Sequence, residues 1–311
     1  MTSLKPPAHT RTLKTIPEAF VFDVFGTVFD WRGTVSTYLE RTIAQKLTRK
    51  TISENKKLAL TAPDSLKIFC ASFAQEWRDS YKQFVATRGS ASQELGTEEE
   101  YTTIDTHHYR SLLDLFEKYG LLKLFSASEM YEISKTWHFL NPWEDSTEGI
   151  SKLRELGVVS TLSNGNVRLL IDLGKSSGVT FDMVLSGQLW DGYKPHPKVY
   201  IGACEVLGVG DRGAWEVYKD IHSGSDDSGE EEWRRGERGK VAMVAAHIGD
   251  LRAAKKCGLT TIYIERPGED DDREAGEKYI RDGEDWIDMW VTHEEGGILE
   301  AAKRLAELKE I

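Results

Sequence analysis

The sequence predicts an α/β protein: a doubly wound parallel sheet carrying an inserted helical cap domain. Three observations lead there. The run Ala19-Phe20-Val21-Phe22 is apolar at consecutive positions and ends in Asp23 and a Gly26-Thr27 turn, the pattern of a strand buried on both faces. A long stretch after it shows apolar residues at helical spacing only. Beyond Asn141, short apolar runs alternate with helical patterns, and strands alternating with helices imply a parallel sheet.

Taken in order, residues 1–16 lack any acid and carry Lys5, Arg11 and Lys14. A disordered tail is the expectation, favoured over a transit peptide. The first strand delivers Asp23 to its carboxyl end, where parallel sheets bind ligands. Helices are then predicted over Val35 to Leu47, Leu66 to Val85, Tyr109 to Tyr119 and Met130 to Leu140, with a polar loop over Gly89 to Glu100. With no strand pattern between them, these form a cap over residues 33–141, and the core comprises residues 17–32 and 142–311. Asn141-Pro142-Trp143 marks the return to the core, followed by a helix that stops at Gly157.

Strands are expected at Val158 to Leu162, Met183 to Leu185, Val241 to Ala246, Thr260 to Ile264 and Met289 to Val291. Helices fall near Arg168 to Lys175, Lys198 to Leu207, Leu251 to Cys257 and Ile298 to Leu308. Within residues 211–240, the acidic, small-residue stretch Ser223 to Glu232 reads as a mobile surface insertion. A second acidic run, Glu269 to Asp272, reads as a solvated loop. Gly208-Val209-Gly210-Asp211-Arg212-Gly213 satisfies Gly-x-Gly-x-x-Gly, but it follows a helix where nucleotide binding needs a strand.

Composition narrows the function. The 311 residues include 51 acids against 40 Lys and Arg, for a formal net charge of -11, which argues against nucleic acid or an anionic membrane as the main partner. Cys70, Cys204 and Cys257 are widely spaced and form no paired metal motif, so a reduced, cytoplasmic setting is expected. No stretch has the roughly 18 apolar residues of a membrane span. Nothing in the sequence excludes a homodimer.

The chemistry-bearing residues lie at strand ends. Phe22-Asp23-Val24-Phe25-Gly26-Thr27-Val28-Phe29-Asp30 resembles the opening motif of the haloacid dehalogenase superfamily, in the variant of its L-2-haloacid dehalogenases. Four further segments fit that resemblance in order. Glu76-Trp77-Arg78 resembles the cap Trp-Arg whose arginine receives the departing halide, and Ser163-Asn164-Gly165 follows the second core strand, where the family binds the substrate's anionic group. Lys194-Pro195 leads into a helix carrying Tyr200, six residues after the lysine. Pro195 favours an extended approach for Lys194, whose ammonium beside Asp23 would hold the carboxylate ionised and nucleophilic. In the fourth core segment, Ala245 to Gly258, Asp250 lies near the start of a helix, where a family acid bonds the lysine and helps position or activate water. The departure lies just before it: the family carries Ser and Asn where this chain has Ala245, Ala246 and His247.

Superfamily phosphatases use Asp-x-Asp, the second acid protonating the leaving alkoxide, and further acids that hold magnesium. Here Phe25 stands at the second acid and Ala246 at an upstream metal ligand. A halide leaves without a proton and needs only a positive or hydrogen-bonding cradle. The resemblance therefore implies a cofactor-independent hydrolase that takes a short 2-haloacid as its organic acid substrate and releases halide. In that reading Asp23 attacks carbon to give an aspartyl ester that water cleaves, supported by Lys194, Asp250, Thr27 and Tyr200. Ser163 holds the substrate carboxylate, Arg78 with Asn164 accepts halide, and His247 replaces a polar partner, as a base or as a structural histidine. A magnesium-dependent phosphatase and a non-catalytic binding protein on the same fold are the alternatives. Lys198, one turn from Lys194, is expected to be solvated.

Overall fold

A computed structural model describes residues 13–47, 63–88, 101–209, 218, 237–269 and 287–309. The acidic insertion at 223–232, the polar loop at 89–100 and residues 1–12 of the expected tail lie outside these. Leu13 and Ile16 from the end of that tail pack against the core.

Six parallel strands build the sheet: β1 (Ala19–Phe22), β4 (Val158–Ser163), β5 (Met183–Ser186), β6 (Val241–Ala245), β7 (Thr260–Ile264) and β8 (Met289–Val291). Their order is β5-β4-β1-β6-β7-β8, so β1 is central and the chain winds outward in both directions. All four residues of β1 are buried: Phe20 and Phe22 join the core on one face, Ala19 and Val21 the core on the other. Both faces being covered is why the run is apolar without alternation. Phe22 pairs with Thr161 of β4 and Val244 of β6. The residues that follow these strands consequently emerge together at one edge.

Helices α5 (Ser146–Arg154), α6 (Val167–Ser177) and α9 (Gly297–Glu307) supply buried residues to the first face; α7 (Pro197–Val206) and α8 (Ile248–Lys256) supply the second. The expected boundaries for these agree within three residues. Among the described residues no helix is long and apolar enough to cross a membrane.

The cap contains α1 (Trp31–Lys46), α2 (Pro63–Arg88), α3 (Ile104–Tyr119) and α4 (Ala127–Ser134). Helix α1 starts before the expected Val35 because the Asp30 side chain caps it, accepting from Gly33 N at 2.8 Å. Helix α3 likewise starts five residues early, at its Thr103 N-cap. The expected helix Met130 to Leu140 stops at Ser134 and tightens into a 3-10 turn over Lys135–His138. There the hydroxyls of Ser134 and Thr136 donate back to the carbonyls of Tyr131 and Ile133, competing with regular helix bonding. A short antiparallel pair, β2 (Phe29–Asp30) with β3 (Asn141–Pro142), ties the outgoing and returning chains at the cap boundary. Two-residue strands leave no readable period in sequence.

On α2 the buried residues Cys70, Phe73, Ala74, Trp77 and Tyr81 recur at helical spacing. Trp77 meets Trp137 edge-on at 5.4 Å, and Trp137 stacks on Trp31 at 5.9 Å and on His108 at 4.5 Å. This aromatic block fixes the face of α2 that carries Arg78 toward the sheet.

Candidate active site

Asp23 stands directly after β1 with its backbone N–H still bonded to Val244 O at 3.0 Å, as though the strand continued one residue. Its side chain is nearly buried, and each carboxylate oxygen is engaged. Oδ1 accepts from Lys194 Nζ at 2.9 Å. Oδ2 accepts from the Thr27 hydroxyl at 2.9 Å and lies 2.9 Å from His247 Nδ1. The Thr27 oxygen itself accepts from Ala246 N at 2.9 Å, which directs its hydrogen to Asp23. Arg266, paired twice with Asp145, donates Nε to Thr27 O at 3.0 Å and pins the turn from outside.

Lys194 arrives from the segment between β5 and α7, and its peptide bond to Pro195 is cis. Its ammonium also donates to Asp250 Oδ2 at 2.5 Å, while Tyr200 OH donates to Asp250 Oδ1 at 2.5 Å. Asn164, at the end of β4, fixes the lysine backbone from both sides: Lys194 N donates to Oδ1 at 2.6 Å and Nδ2 donates to Lys194 O at 3.3 Å. Asn164 also lines the cavity under α2, the side on which its halide contact is expected.

Burial alone would raise the Asp23 pKa, but the Lys194 charge and the His247 hydrogen bond outweigh it and hold the carboxyl far below its ordinary range. Lys194 is buried too, and the charges of Asp23 and Asp250 push it above the usual lysine value. Asp250 is raised, first by burial, with Lys194 pulling it down and Asp23 pushing it up. Tyr200 is raised by burial and by the neighbouring Asp250 charge, so its hydroxyl stays a donor.

His247, expected as a base or as a structural histidine, is tied into the cluster at both ring nitrogens. Its ring lies between two carboxylates, with Nδ1 at 2.9 Å from Asp23 and Nε2 at 3.2 Å from Glu269 Oε2. Where both carboxylates accept, the ring must present two N–H donors, as the imidazolium does. Burial works against that charge, yet the bonds to Asp23 and Glu269 prevail and push the pKa up to about 9.

Glu269 is the residue that sequence reasoning missed. It was assigned to a solvated run, whereas its side chain is buried, follows β7 at the same sheet edge, and lies against Gly26 so closely that a Cβ there would fall 2.2 Å from Oε2. Gly26, at φ 87°, therefore supplies both a left-handed turn and room for this carboxylate. The available signal was position: an acid just past a strand's carboxyl end, as with Asp23 and Asp250.

A cavity of about 380 Å³ lies between this cluster and α2, lined by Asp23, Lys194, His247 and Asp250 below and by Arg78 and Val85 above. Arg78 is 5% exposed, with its guanidinium 4.6 Å from the Tyr81 ring, 5.5 Å from Trp31 and 5.7 Å from Phe25. Its Nε has no hydrogen-bond partner and it forms no ion pair with a described residue. Phe25 is buried beneath it, packed edge-on against Trp137. Ser163 ends β4 at the expected edge and is buried, its Oγ accepting from Gly165 N at 3.2 Å. Lys198 is half-buried rather than fully solvated.

The residues do not fit a magnesium site. Asp23 Oδ1 is engaged by an ammonium and Oδ2 by two donors, and Phe25 and Ala246 offer no side-chain oxygen. Among the described residues no group of three His, Cys, Asp or Glu side chains is placed to hold a metal ion.

Residues 17–258, most of the chain, match the family of haloacid dehalogenase-like hydrolases. The chain belongs to that family. Among haloacid dehalogenase-like proteins, (S)-2-haloacid dehalogenase 4A of Burkholderia cepacia is 30% identical over 132 residues, covering 42% of this chain and 46% of that protein, so the match spans under half the length of this curated relative. The fold of a defluorinating L-2-haloacid dehalogenase superposes over 95% of this chain and 98% of that one, with TM-score 0.67 and 25% identity. The L-2-haloacid dehalogenase of Xanthobacter autotrophicus, at 19% identity, shares the fold with TM-score 0.62 over 94% of this chain and 99% of its own.

Proposed function

We propose that this haloacid dehalogenase-like hydrolase cleaves the carbon-halogen bond of 2-haloacids through an ester at Asp23, giving 2-hydroxy acids. The observation that carries this reading is the pairing of a nucleophile-ready carboxylate with an unpaired buried guanidinium across one cavity. Asp23 is held ionised by Lys194 and His247, and its Oδ1 still has a lone pair beside the cavity. Arg78, opposite, has only aromatic faces for company and an orphaned Nε. Burying a cation without an acceptor is costly, so the site is arranged for an anion that the protein itself does not provide.

In the first step Asp23 Oδ1 bonds to the substrate's C2 and the halide departs with the bonding pair toward Arg78. No proton is required, which makes Phe25 an acceptable neighbour where a phosphatase needs an acid. Arg78 and Lys194 attract the substrate's own carboxylate. Water then attacks the Asp23 carbonyl carbon and frees the hydroxy acid. Support for the substrate class comes from the relatives, whose names describe 2-haloacid dehalogenases.

The test is halide release from each enantiomer of 2-chloropropionate and 2-bromopropionate, alongside phosphate release from small phosphate esters, with and without chelator. Halide release unaffected by chelator is expected. Phosphate release abolished by chelator, with no halide formed, would overturn the reading.

A further inference from the structure

Asp23 Oδ1 and Oδ2 are not equivalent, and their difference assigns roles in the second half of the reaction. Oδ1 has one donor, Lys194, and keeps a lone pair for attack. Both acceptor directions of Oδ2 are taken, by the Thr27 hydroxyl at 2.9 Å and by His247 Nδ1 at 2.9 Å. Once Oδ1 has bonded to substrate carbon, Oδ2 is the carbonyl oxygen of the ester, already facing two donors. We propose, on the dehalogenase reading above, that His247 and Thr27 form the oxyanion hole for hydrolysis of the Asp23 ester, and that Glu269 is the positioning residue that keeps the His247 ring oriented and protonated.

The geometry meets the requirement for such a hole, which is donors at 2.7–3.1 Å from the oxygen that becomes charged, set in place before the reaction. Thr27 is locked by Ala246 N, and the far nitrogen of His247 is tied to buried Glu269. When the ester forms, Asp23 loses its negative charge and one reason for His247 to stay protonated disappears. Glu269 supplies the other. Water's oxygen then bonds to the Asp23 Cγ, the carbonyl π pair moves onto Oδ2 between His247 and Thr27, and the water proton passes to Asp250, the carboxylate that shares Lys194 with Asp23. On collapse the π bond re-forms, the Cγ–Oδ1 bond breaks, and the leaving alkoxide takes the proton back from Asp250. Asp23 re-forms as a carboxylic acid and ionises, releasing one proton to solvent.

The proposal separates two rates. With 2-bromopropionate in excess, His247→Ala should still give a stoichiometric burst of halide, slowed far less than the turnover that follows, which should drop about 10²–10³-fold, the usual effect of deleting one oxyanion donor. Intact-protein mass spectrometry should find the ester accumulated on Asp23. His247→Asn, which keeps one N–H toward Oδ2, should recover part of the second-step rate. Glu269→Gln leaves the ring in place but weakens its hold on the proton, so ester hydrolysis should fall off at lower pH than in wild type. A His247→Ala enzyme that loses the halide burst and accumulates no ester would overturn the assignment to the second step. An Asn variant no faster than Ala, or a Glu269→Gln profile coinciding with wild type, would remove His247 or Glu269 respectively from these roles. If wild type itself releases no halide, the dehalogenase reading fails first, and that is recognised before any variant is made.

Discussion

On the floor of the cavity every charge has a partner within 3.2 Å: Lys194 bridges Asp23 and Asp250, and His247 bridges Asp23 and Glu269. In the roof, Arg78 has aromatic rings and no carboxylate among the described residues. The two regions also originate differently. The floor is assembled by topology, since β1, β4, β5, β6 and β7 end at one edge and residues 171 positions apart in sequence, Asp23 and Lys194, meet there. The roof is one helix held by an aromatic block. A floor of paired charges is preorganised and changes little when substrate arrives, whereas an unpaired cation above it gains its partner only from the ligand. In the dehalogenase reading proposed above, chemistry falls to the floor and recognition of the departing anion to the roof.

The largest effect expected is from Asp23→Asn, which is nearly isosteric and removes the attacking charge. Turnover should fall by about four orders of magnitude or more, with a retained circular dichroism spectrum. More than a few per cent residual activity would take the nucleophile off the floor. Arg78→Lys should follow, lowering kcat about 10²–10³-fold because a compact ammonium cannot reproduce the planar fork between Tyr81 and Trp31. Unchanged kcat with intact fold would move the halide site away from the roof and erase the distinction between the two regions.

A third expectation concerns stability. The His247 pKa is raised from 6.5 to about 9 on folding, so its contribution is complete below pH 6.5 and is lost as pH rises through about 9. Asp23 is shifted the other way, contributing above its ordinary value of 3.8 and losing that contribution as pH falls below it. Urea midpoints should therefore decline between pH 7 and pH 9.5, and the decline should flatten in His247→Asn. An equal decline in both proteins would show that the floor is not held by this imidazolium. The smallest effect is expected from Lys198→Ala, within about twofold in kcat and within about 0.5 kcal/mol in stability, as for a substitution outside the paired network.

Most of the floor was legible in the sequence because buried parallel strands are continuous apolar runs and the residue after each run is placed by the fold. Asp23 follows from that rule, whereas Lys194, well beyond the end of β5, and Asp250, inside the first turn of α8, were located by the resemblance of their segments to the family's motifs. Glu269 was hard to read because it opens an acidic run, and solvated acids outnumber buried ones; its place beyond β7 was the sequence cue, and its burial against Gly26 and His247 is visible only in the structure. Ser163 shows the converse: a strand-end position gives the edge but not the direction in which a side chain turns, and here the hydroxyl folds back to Gly165 N. In the cap, helix existence was clear from periodicity, but the end of α4 was set by Ser134 and Thr136 bonding to their own backbone. Arg78 was located by its Trp neighbour, and its lack of a partner became visible only in three dimensions.

The most direct test of the central claim is a single turnover of 2-bromopropionate by excess enzyme in oxygen-18 water, with the peptide containing Asp23 and the product both analysed by mass spectrometry. If the Asp23 carboxylate is the nucleophile and water cleaves its ester at Cγ, the label appears in Asp23 and the lactate formed carries unlabelled oxygen. Label in the lactate with Asp23 unlabelled would mean that water attacks the substrate directly, and would contradict the account.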